Sequence, residues 1–208
     1  FRNLFNFNKN GIFSFVYTIQ KQKNKILQIN GFDDKKNNYH DFTSYLNFSD
    51  NYIISTSAKQ GYKIYSSEFF DLKNYYIKYT EYEVNTSINQ FKNLDFTLKY
   101  IIENQNNTLN TEKSTGNNIG LELNYSLTNK FNILLTTNYI NLKYNSDLNT
   151  SVAYIMLESL KPGNNFTWTL NLQKNIFTTM QFSVLYEGRY SENSKIIHTG
   201  NLEIKAIF

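Results

Sequence analysis

The chain contains no cysteine and a single proline, and only 8 of its 208 residues are glycine. The lack of cysteine excludes a disulfide framework and a thiolate metal site. No run of about 18 apolar residues occurs, which argues against a membrane-spanning helix. Charged residues are only 18% of the chain, against about a quarter in ordinary soluble domains. These absences leave a strand-forming composition rather than a helical or disulfide-stapled one.

The amino-terminal residues lack the basic start, apolar core and small-residue cleavage site of a signal peptide. They read FRNLFNFNKNG and do not begin with methionine. We therefore expect a mature product or a piece of a longer protein. The net charge of +4 is spread along the chain, and its densest basic run is KQKNK at residues 21–25. No second basic stripe accompanies this run, so it predicts a solvated strand end or loop and no nucleic-acid partner.

Tyrosine and phenylalanine, 17 of each, dominate what is present. Together with Ile, Thr and abundant Asn they favour β-strands. The mean hydropathy of -0.51 remains compatible with a membrane barrel, because barrel strands alternate between apolar and polar residues.

Strict alternation of apolar and polar residues is the dominant pattern along the chain. It is clearest in LDFTLKYIIE, GLELNYSL, FTWTLNLQ and TMQFSVLYEGRY. Such alternation predicts strands with one apolar and one polar face. Residues 52–64 keep one phase throughout, and a tilted membrane strand needs only about nine to eleven residues. Length and alternation together predict strands that cross a membrane.

The predicted connections are of two kinds, as in outer-membrane barrels with short periplasmic turns and longer external loops. Short polar turns fall at residues 8–11, 49–51, 89–93, 128–130 and 173–175. Longer loops fall at residues 33–39, 68–73, 104–117 and 191–196. Residues 145–165 do not alternate, and Ala153, Met156, Leu157 and Leu160 have helical spacing, which predicts one external loop with a short helical turn. With this assignment the chain has roughly ten membrane strands, plus a partial one at residues 1–7.

The sequence therefore predicts an all-β fold. It is an antiparallel up-and-down transmembrane β-barrel, or the C-terminal part of a larger one, with roughly 10–12 strands in this chain. Residues 1–208 form a single domain, expected to be the C-terminal segment of a longer protein. The apolar faces would contact lipid and the polar faces the lumen. Candidate lumen-facing charges are Lys99, Glu103, Glu122, Glu187, Arg189, Glu203 and Lys205, either as a salt-bridged interior or as a channel lining.

An enzymatic site has little support in the sequence. The chain has only two histidines, and His198 has Ser191, Glu192, Ser194 and Thr199 nearby in sequence. No hydrolase or metalloprotease motif accompanies it. We predict no catalytic residue, no metal site and no cofactor, and we keep an outer-membrane hydrolase using His198 as an alternative.

Residues 158–208 resemble the C-terminal end of large outer-membrane β-barrel proteins of Bacteroidota-type bacteria. The shared elements are Leu-Lys-Pro-Gly at residues 160–163, Phe-Thr-Trp at 166–168, Tyr-Glu-Gly-Arg at 186–189 and His-Thr-Gly at 198–200. The resemblance implies insertion into the outer membrane by the barrel-assembly machinery, which recognises a terminal strand ending in an aromatic residue. In this chain that assembly signal comprises Leu202, Ile204, Ala206 and Phe208.

The sequence thus indicates an integral protein of the cell outer membrane with a periplasmic C-terminus. We expect it to be a non-enzymatic pore, receptor or scaffold subunit. Its expected partners are lipopolysaccharide, phospholipid, the barrel-assembly machinery and other outer-membrane or periplasmic subunits. A soluble or surface-exposed β-rich adhesin module is the main alternative, and it would bury both strand faces in places.

Overall fold

A computed structural model describes residues 2–9, 11–29, 31–49, 51–127, 131–177 and 180–206. These residues form one sheet of 11 strands in sequential order, with every neighbouring pair antiparallel. The predicted all-β, up-and-down architecture and the predicted strand number are confirmed. The strands are β1 (Arg2–Lys9), β2 (Phe13–Gln28), β3 (Gly31–Ser49), β4 (Tyr52–Ser67), β5 (Tyr75–Phe91), β6 (Leu94–Asn107), β7 (Lys113–Leu127), β8 (Phe131–Tyr144), β9 (Gly163–Phe177), β10 (Met180–Ser191) and β11 (Ile197–Ala206).

The two ends of the sheet differ in their connections. At one end, the turn end, every connection is two or three residues long. At the other, the loop end, the β2–β3 connection is two residues long, and the β4–β5, β6–β7, β8–β9 and β10–β11 connections are seven, five, 18 and five residues long. Among the turns, Asn93 adopts a φ of 67° between β5 and β6, a left-handed conformation that asparagine tolerates in tight hairpins. Four of the five loop-end connections are thus longer than the turns, as predicted, whereas the predicted turn at residues 173–175 lies within β9 and is paired with β10.

Two of the predicted loops are wrong in extent. Residues 33–39 lie within β3, paired with both β2 and β4. Their polar sequence gives no strand pattern, but contacts with β2 support the strand: Lys23 Nζ lies 3.6 Å from Asp34 Oδ2, and the Lys25 ammonium lies 4.2 Å from the centre of the Phe32 ring. Within β3 itself, Lys36 Nζ lies 3.4 Å from the same carboxylate oxygen. Most of residues 104–117 is also strand, since β6 ends at Asn107 and β7 begins at Lys113.

A short helix, α1 (Ser151–Met156), lies in the β8–β9 connection, as the spacing of Ala153 and Met156 predicted. The Thr150 hydroxyl accepts a hydrogen bond from the Ala153 amide at 3.0 Å and caps its first turn. None of the helices in the described part of the chain is long and apolar enough to cross a membrane.

The helix packs on one face of the sheet, here called the inner face. Met156 and Val152 are buried against Tyr75 and Ile77 of β5, and Leu157 against Leu142 of β8. On a flat sheet β4 and β8 would stand about 19 Å apart, whereas a helix is only about 10–12 Å wide. Since α1 and the residues following it contact strands from β4 to β8, the sheet curves around them.

In the part of the chain that the structure describes, the opposite, outer face carries a band without charged side chains. Strand pairing places on it, among others, Tyr82, Val84, Leu98, Ile119 and Leu202, and each of these is more than two fifths exposed. A soluble domain of this size rarely leaves so much contiguous apolar surface uncovered. The band extends from β2 to β11 and is the surface expected of a sheet that faces lipid.

Candidate functional site: the charged inner face beneath α1

Alternation along each strand determines which side chains reach the inner face. In four successive strands the residues directly opposite one another are Asp41, Lys59, Glu81 and Glu103. The next inner row towards the turn end contains Thr43, Ser57, Glu83 and Ile101. The polar residue at every second position of β3 to β6 thus becomes a continuous charged surface below the helix, here called the inner charge cluster.

Ion pairs connect the cluster across the strands. Lys59 Nζ lies 3.5 Å from Glu81 Oε1, and Lys99 Nζ lies 3.4 Å from Glu83 Oε1. These side chains are only partly exposed, so water screens each pair less than on an open surface. Asp41 accepts a hydrogen bond from the Ser57 hydroxyl at 2.7 Å. The arrangement holds charges of both signs in fixed positions.

Aromatic rings flank the same lysines. Gly61 lies between Tyr39 and Tyr79 on the inner face, and a Cβ at this position would come within 2.8 Å of Tyr79 Cζ. The absence of a side chain lets the Tyr79 ring lie over the backbone. The Lys59 ammonium is 5.1 Å from the centre of the Tyr39 ring and the Lys63 ammonium 5.1 Å from that of Tyr79, within cation–π range.

Helix α1 and the residues that follow it cover this cluster. Gln105 Nε2 donates to the Met156 carbonyl at 3.0 Å, which fixes the C-terminal end of the helix to β6. Below it is a cleft of about 120 Å³, lined by Glu81, Glu103, Met156, Leu157 and Glu158 among others. A second, more open cleft of about 400 Å³ lies between the helix and β3 to β5, and Lys35, Lys63, Tyr154 and Glu158 are among its lining residues.

The structure places all seven predicted lumen charges on the inner face. Two groups result, Lys99, Glu103 and Glu122 on β6 and β7, and Glu187, Arg189, Glu203 and Lys205 on β10 and β11. Lys99 and Glu103 belong to the inner charge cluster. Glu203 and Lys205 lie 3.7 Å apart and are more than half exposed. The prediction of seven candidates omitted Asp41, Glu81 and Glu83, although the alternation of polar residues in TEYEVNTS marks the two glutamates.

The predicted assembly residues lie on the outer face as far as the structure describes them. Leu202, Ile204 and Ala206 are opposite Val184, Phe182 and Met180 of β10. Phe208 lies outside the described residues.

His198 is also on the outer face, and the predicted constellation around it does not assemble. Its Nδ1 is 2.8 Å from the Tyr186 hydroxyl, and its ring contacts Trp168 edge to face at 5.8 Å. Glu192 instead accepts a hydrogen bond from the Asn164 backbone amide. The Ser194 hydroxyl accepts a hydrogen bond from Lys161 Nζ at 2.8 Å. Within the described residues, no group of three or more His, Asp or Glu side chains could hold a metal ion.

No protein-family model and no curated protein matches the chain. Among solved structures, LpxR from Salmonella typhimurium matches all of this chain and 88% of its own, with 6% identity and a TM-score of 0.41. The translocator domain of the autotransporter NalP from Neisseria meningitidis matches all of this chain and 79% of its own, with 12% identity and a TM-score of 0.40.

Both of these proteins are outer-membrane β-barrels, and the likeness concerns the fold. LpxR is an outer-membrane lipid A deacylase. This finding contradicts the prediction that the chain is not an enzyme, and the prediction is not kept. The Bacteroidota relationship suggested by residues 158–208 stays a prediction.

Proposed function

We propose that this outer-membrane barrel fold encloses a polar passage for small hydrophilic solutes, and that the β8–β9 connection narrows it. The observation that carries the proposal is the packing of α1 on the inner face, above the inner charge cluster. A helix about 10–12 Å wide occupies much of the interior of a barrel of this strand number. The paired charges and hydroxyls beneath it offer water-like contacts to a solute that passes the constriction.

Strand parity supports a barrel larger than the 11 strands described. In the described residues β1 pairs only with β2, and β11 only with β10. Both strands run from the loop end to the turn end, so direct pairing between them would be parallel. In lipid, every edge must be paired, and an odd number of further strands would restore antiparallel closure. The proposed source of these strands is the remainder of a longer polypeptide.

The orientation of the barrel is proposed from its two ends. Outer-membrane barrels place short turns in the periplasm and longer loops outside, so the loop end would face outward. The strand β11 ends at the turn end, and the chain terminus would then be periplasmic. This position would present Leu202, Ile204 and Ala206 to the barrel-assembly machinery during insertion.

Removing α1 and its flanking residues should widen the passage. In the complete protein purified from membranes, replacing residues 147–160 with a short Gly-Ser linker should raise single-channel conductance about twofold or more, since a helix about 10–12 Å wide leaves the lumen. Conductance in planar bilayers measures this directly. A matched replacement of residues 69–72 in the β4–β5 connection, whose side chains are exposed, should leave conductance unchanged. Equal conductance of both variants and the parent protein would refute the constriction.

The orientation has its own test, made possible by the lack of native cysteine in the chain. Leu72 in the β4–β5 connection is 96% exposed, and Lys92 is exposed in the β5–β6 turn. A membrane-impermeant maleimide should label Leu72→Cys in intact cells and Lys92→Cys only after the outer membrane is opened. The reverse pattern would mean that the loop end faces the periplasm.

A further inference from the structure

Three lysines project from the outer face just beyond the charge-free band. Lys78 of β5 is opposite Asn106 of β6, and Asn106 is opposite Lys113 of β7, so these residues form one row. Lys143 of β8 is opposite Thr115 of β7, one outward position closer to the band. Two strand steps separate Lys78 from Lys113, which places their backbones about 10 Å apart.

Amides and two hydroxyls lie beside these lysines. With Lys78 and Lys113 they line a shallow, open depression of about 360 Å³, whose outward-facing residues are Gln60, Lys78, Thr80, Asn104, Asn106, Lys113 and Thr115. In the part of the chain that the structure describes, no carboxylate lies within salt-bridge distance of Lys78, Lys113 or Lys143. The surface thus combines cationic groups with hydrogen-bond donors, the set that recognises phosphate.

The position along the strands determines which phosphate the patch would meet. Immediately towards the turn end, the outer face becomes apolar at Tyr82, Ile102 and Ile119. A lipid that covers these residues with its acyl chains would bring its headgroup to the level of the lysines. The distribution is also asymmetric. Outward-facing strand lysines at the loop end are Lys21, Lys23, Lys25, Lys36, Lys78, Lys113 and Lys143, of which Lys23 and Lys36 pair with Asp34. At the turn end, Lys174 is the one such lysine whose side chain the structure describes.

We propose that Lys78, Lys113 and Lys143, with Asn104 and Asn106 between them, bind the phosphates of a phosphorylated glycolipid of the lipid A type in the outer leaflet. The inference rests on the outward orientation of the loop end proposed above. Juxtamembrane lysines attract anionic headgroups, and a spacing of about 10 Å between strands suits a headgroup with two separated phosphates. Solvated lysines on a free loop would not need to lie in register above an apolar band.

The test uses the complete protein, reconstituted into phosphatidylcholine nanodiscs. The added lipid is bisphosphorylated lipid A, its monophosphorylated form, or phosphatidylglycerol, and native mass spectrometry measures the bound lipid. The triple variant Lys78→Gln, Lys113→Gln, Lys143→Gln should bind bisphosphorylated lipid A on the order of a hundredfold more weakly than the parent protein, since three cationic contacts are lost. The corresponding Lys→Arg triple variant keeps the charges and should retain binding.

A control removes the same charge elsewhere, through Lys92→Gln, Lys174→Gln and Lys195→Gln, and should bind as the parent protein does. Equal weakening in this control, or unchanged binding by the first variant, would overturn the site. Equal affinity for phosphatidylglycerol and lipid A would overturn the assignment to lipid A. Nanodiscs expose both ends of the barrel, so this result does not depend on cell topology, and the maleimide experiment detects a wrong orientation separately.

Discussion

Substituting Gly188 with alanine should lower the free energy of unfolding by about 1–3 kcal/mol, the usual cost of overpacking a filled site. Gly188 lies opposite Trp168 of β9 and His198 of β11 on the outer face. A Cβ at this glycine would overlap the Trp168 indole ring. The ring has little room to move, because Phe166 and His198 contact it at centroid distances of 5.5 and 5.8 Å. Urea unfolding in detergent measures the loss, and Trp168 is the only tryptophan, so its fluorescence reports on this site.

Gly200 provides a matched control for this prediction. It lies on the same outer face in β11, opposite Tyr186, and the nearest atom to a Cβ there is 4.0 Å away. Gly200→Ala should therefore change stability little. Equal losses for the two substitutions would mean that strand glycines matter for a reason other than the contact with Trp168. In a Trp168→Leu background, followed by circular dichroism, Gly188→Ala should cost less than in the parent protein.

Much of the fold follows from local sequence. A strand with one face in lipid needs an apolar residue at every second position, and this pattern in β6, β7, β9 and β10 is strong enough to place them. The helix α1 was also predictable. Apolar residues alternate with polar ones in the strands, whereas Ala153, Met156 and Leu157 have the three- and four-residue spacing of a helix. Short polar turns and longer loops were also recognisable in the sequence. Their positions at opposite ends of the sheet follow from the pairing of consecutive hairpins, which local sequence does not show.

Strands beyond the apolar band are harder to predict. Residues 33–39 read DDKKNNY and carry no apolar alternation, so their composition indicates a loop. Their strand conformation depends on residues distant in sequence, such as Lys23, which pairs with Asp34. Local propensity cannot show such a cross-strand contact, because it arises only from the register of the hairpin.

The candidate site was also only partly predictable from local sequence. The alternation of apolar and polar residues assigns Lys99 and Glu103 to the inner face, but it does not show which charged side chains form ion pairs. Lys99 pairs with Glu83 on the neighbouring strand, and this contact depends on the β5–β6 register. The position of α1 above the cluster depends on packing between Met156 and Ile77, which are 79 positions apart. No pattern within the β8–β9 connection specifies whether it folds inward or outward.

Substituting Leu121 with arginine should destabilise the membrane-inserted protein by about 2–4 kcal/mol, the cost of a lipid-facing arginine near the bilayer midplane. Leu121 lies on the outer face of β7, opposite Leu98 of β6. Its strand neighbours on that face, Ile119 and Leu123, are both apolar, so the guanidinium would have to cross apolar surface to reach water. Unfolding with guanidinium chloride from phospholipid vesicles gives the difference.

The same substitution at the adjacent residue, Glu122, distinguishes a membrane barrel from a soluble β-rich module. Glu122 lies on the inner face between Thr97 and Thr136 and is exposed, so Glu122→Arg should cost much less than Leu121→Arg in vesicles. In a soluble module that buries both strand faces, an arginine on either face would meet packed protein and the two variants would differ little. A large difference between neighbouring residues of one strand, measured in vesicles, is the result expected when one face meets lipid and the other meets water. Equal stability of the two variants would contradict the transmembrane assignment itself, whatever the strand number of the complete barrel.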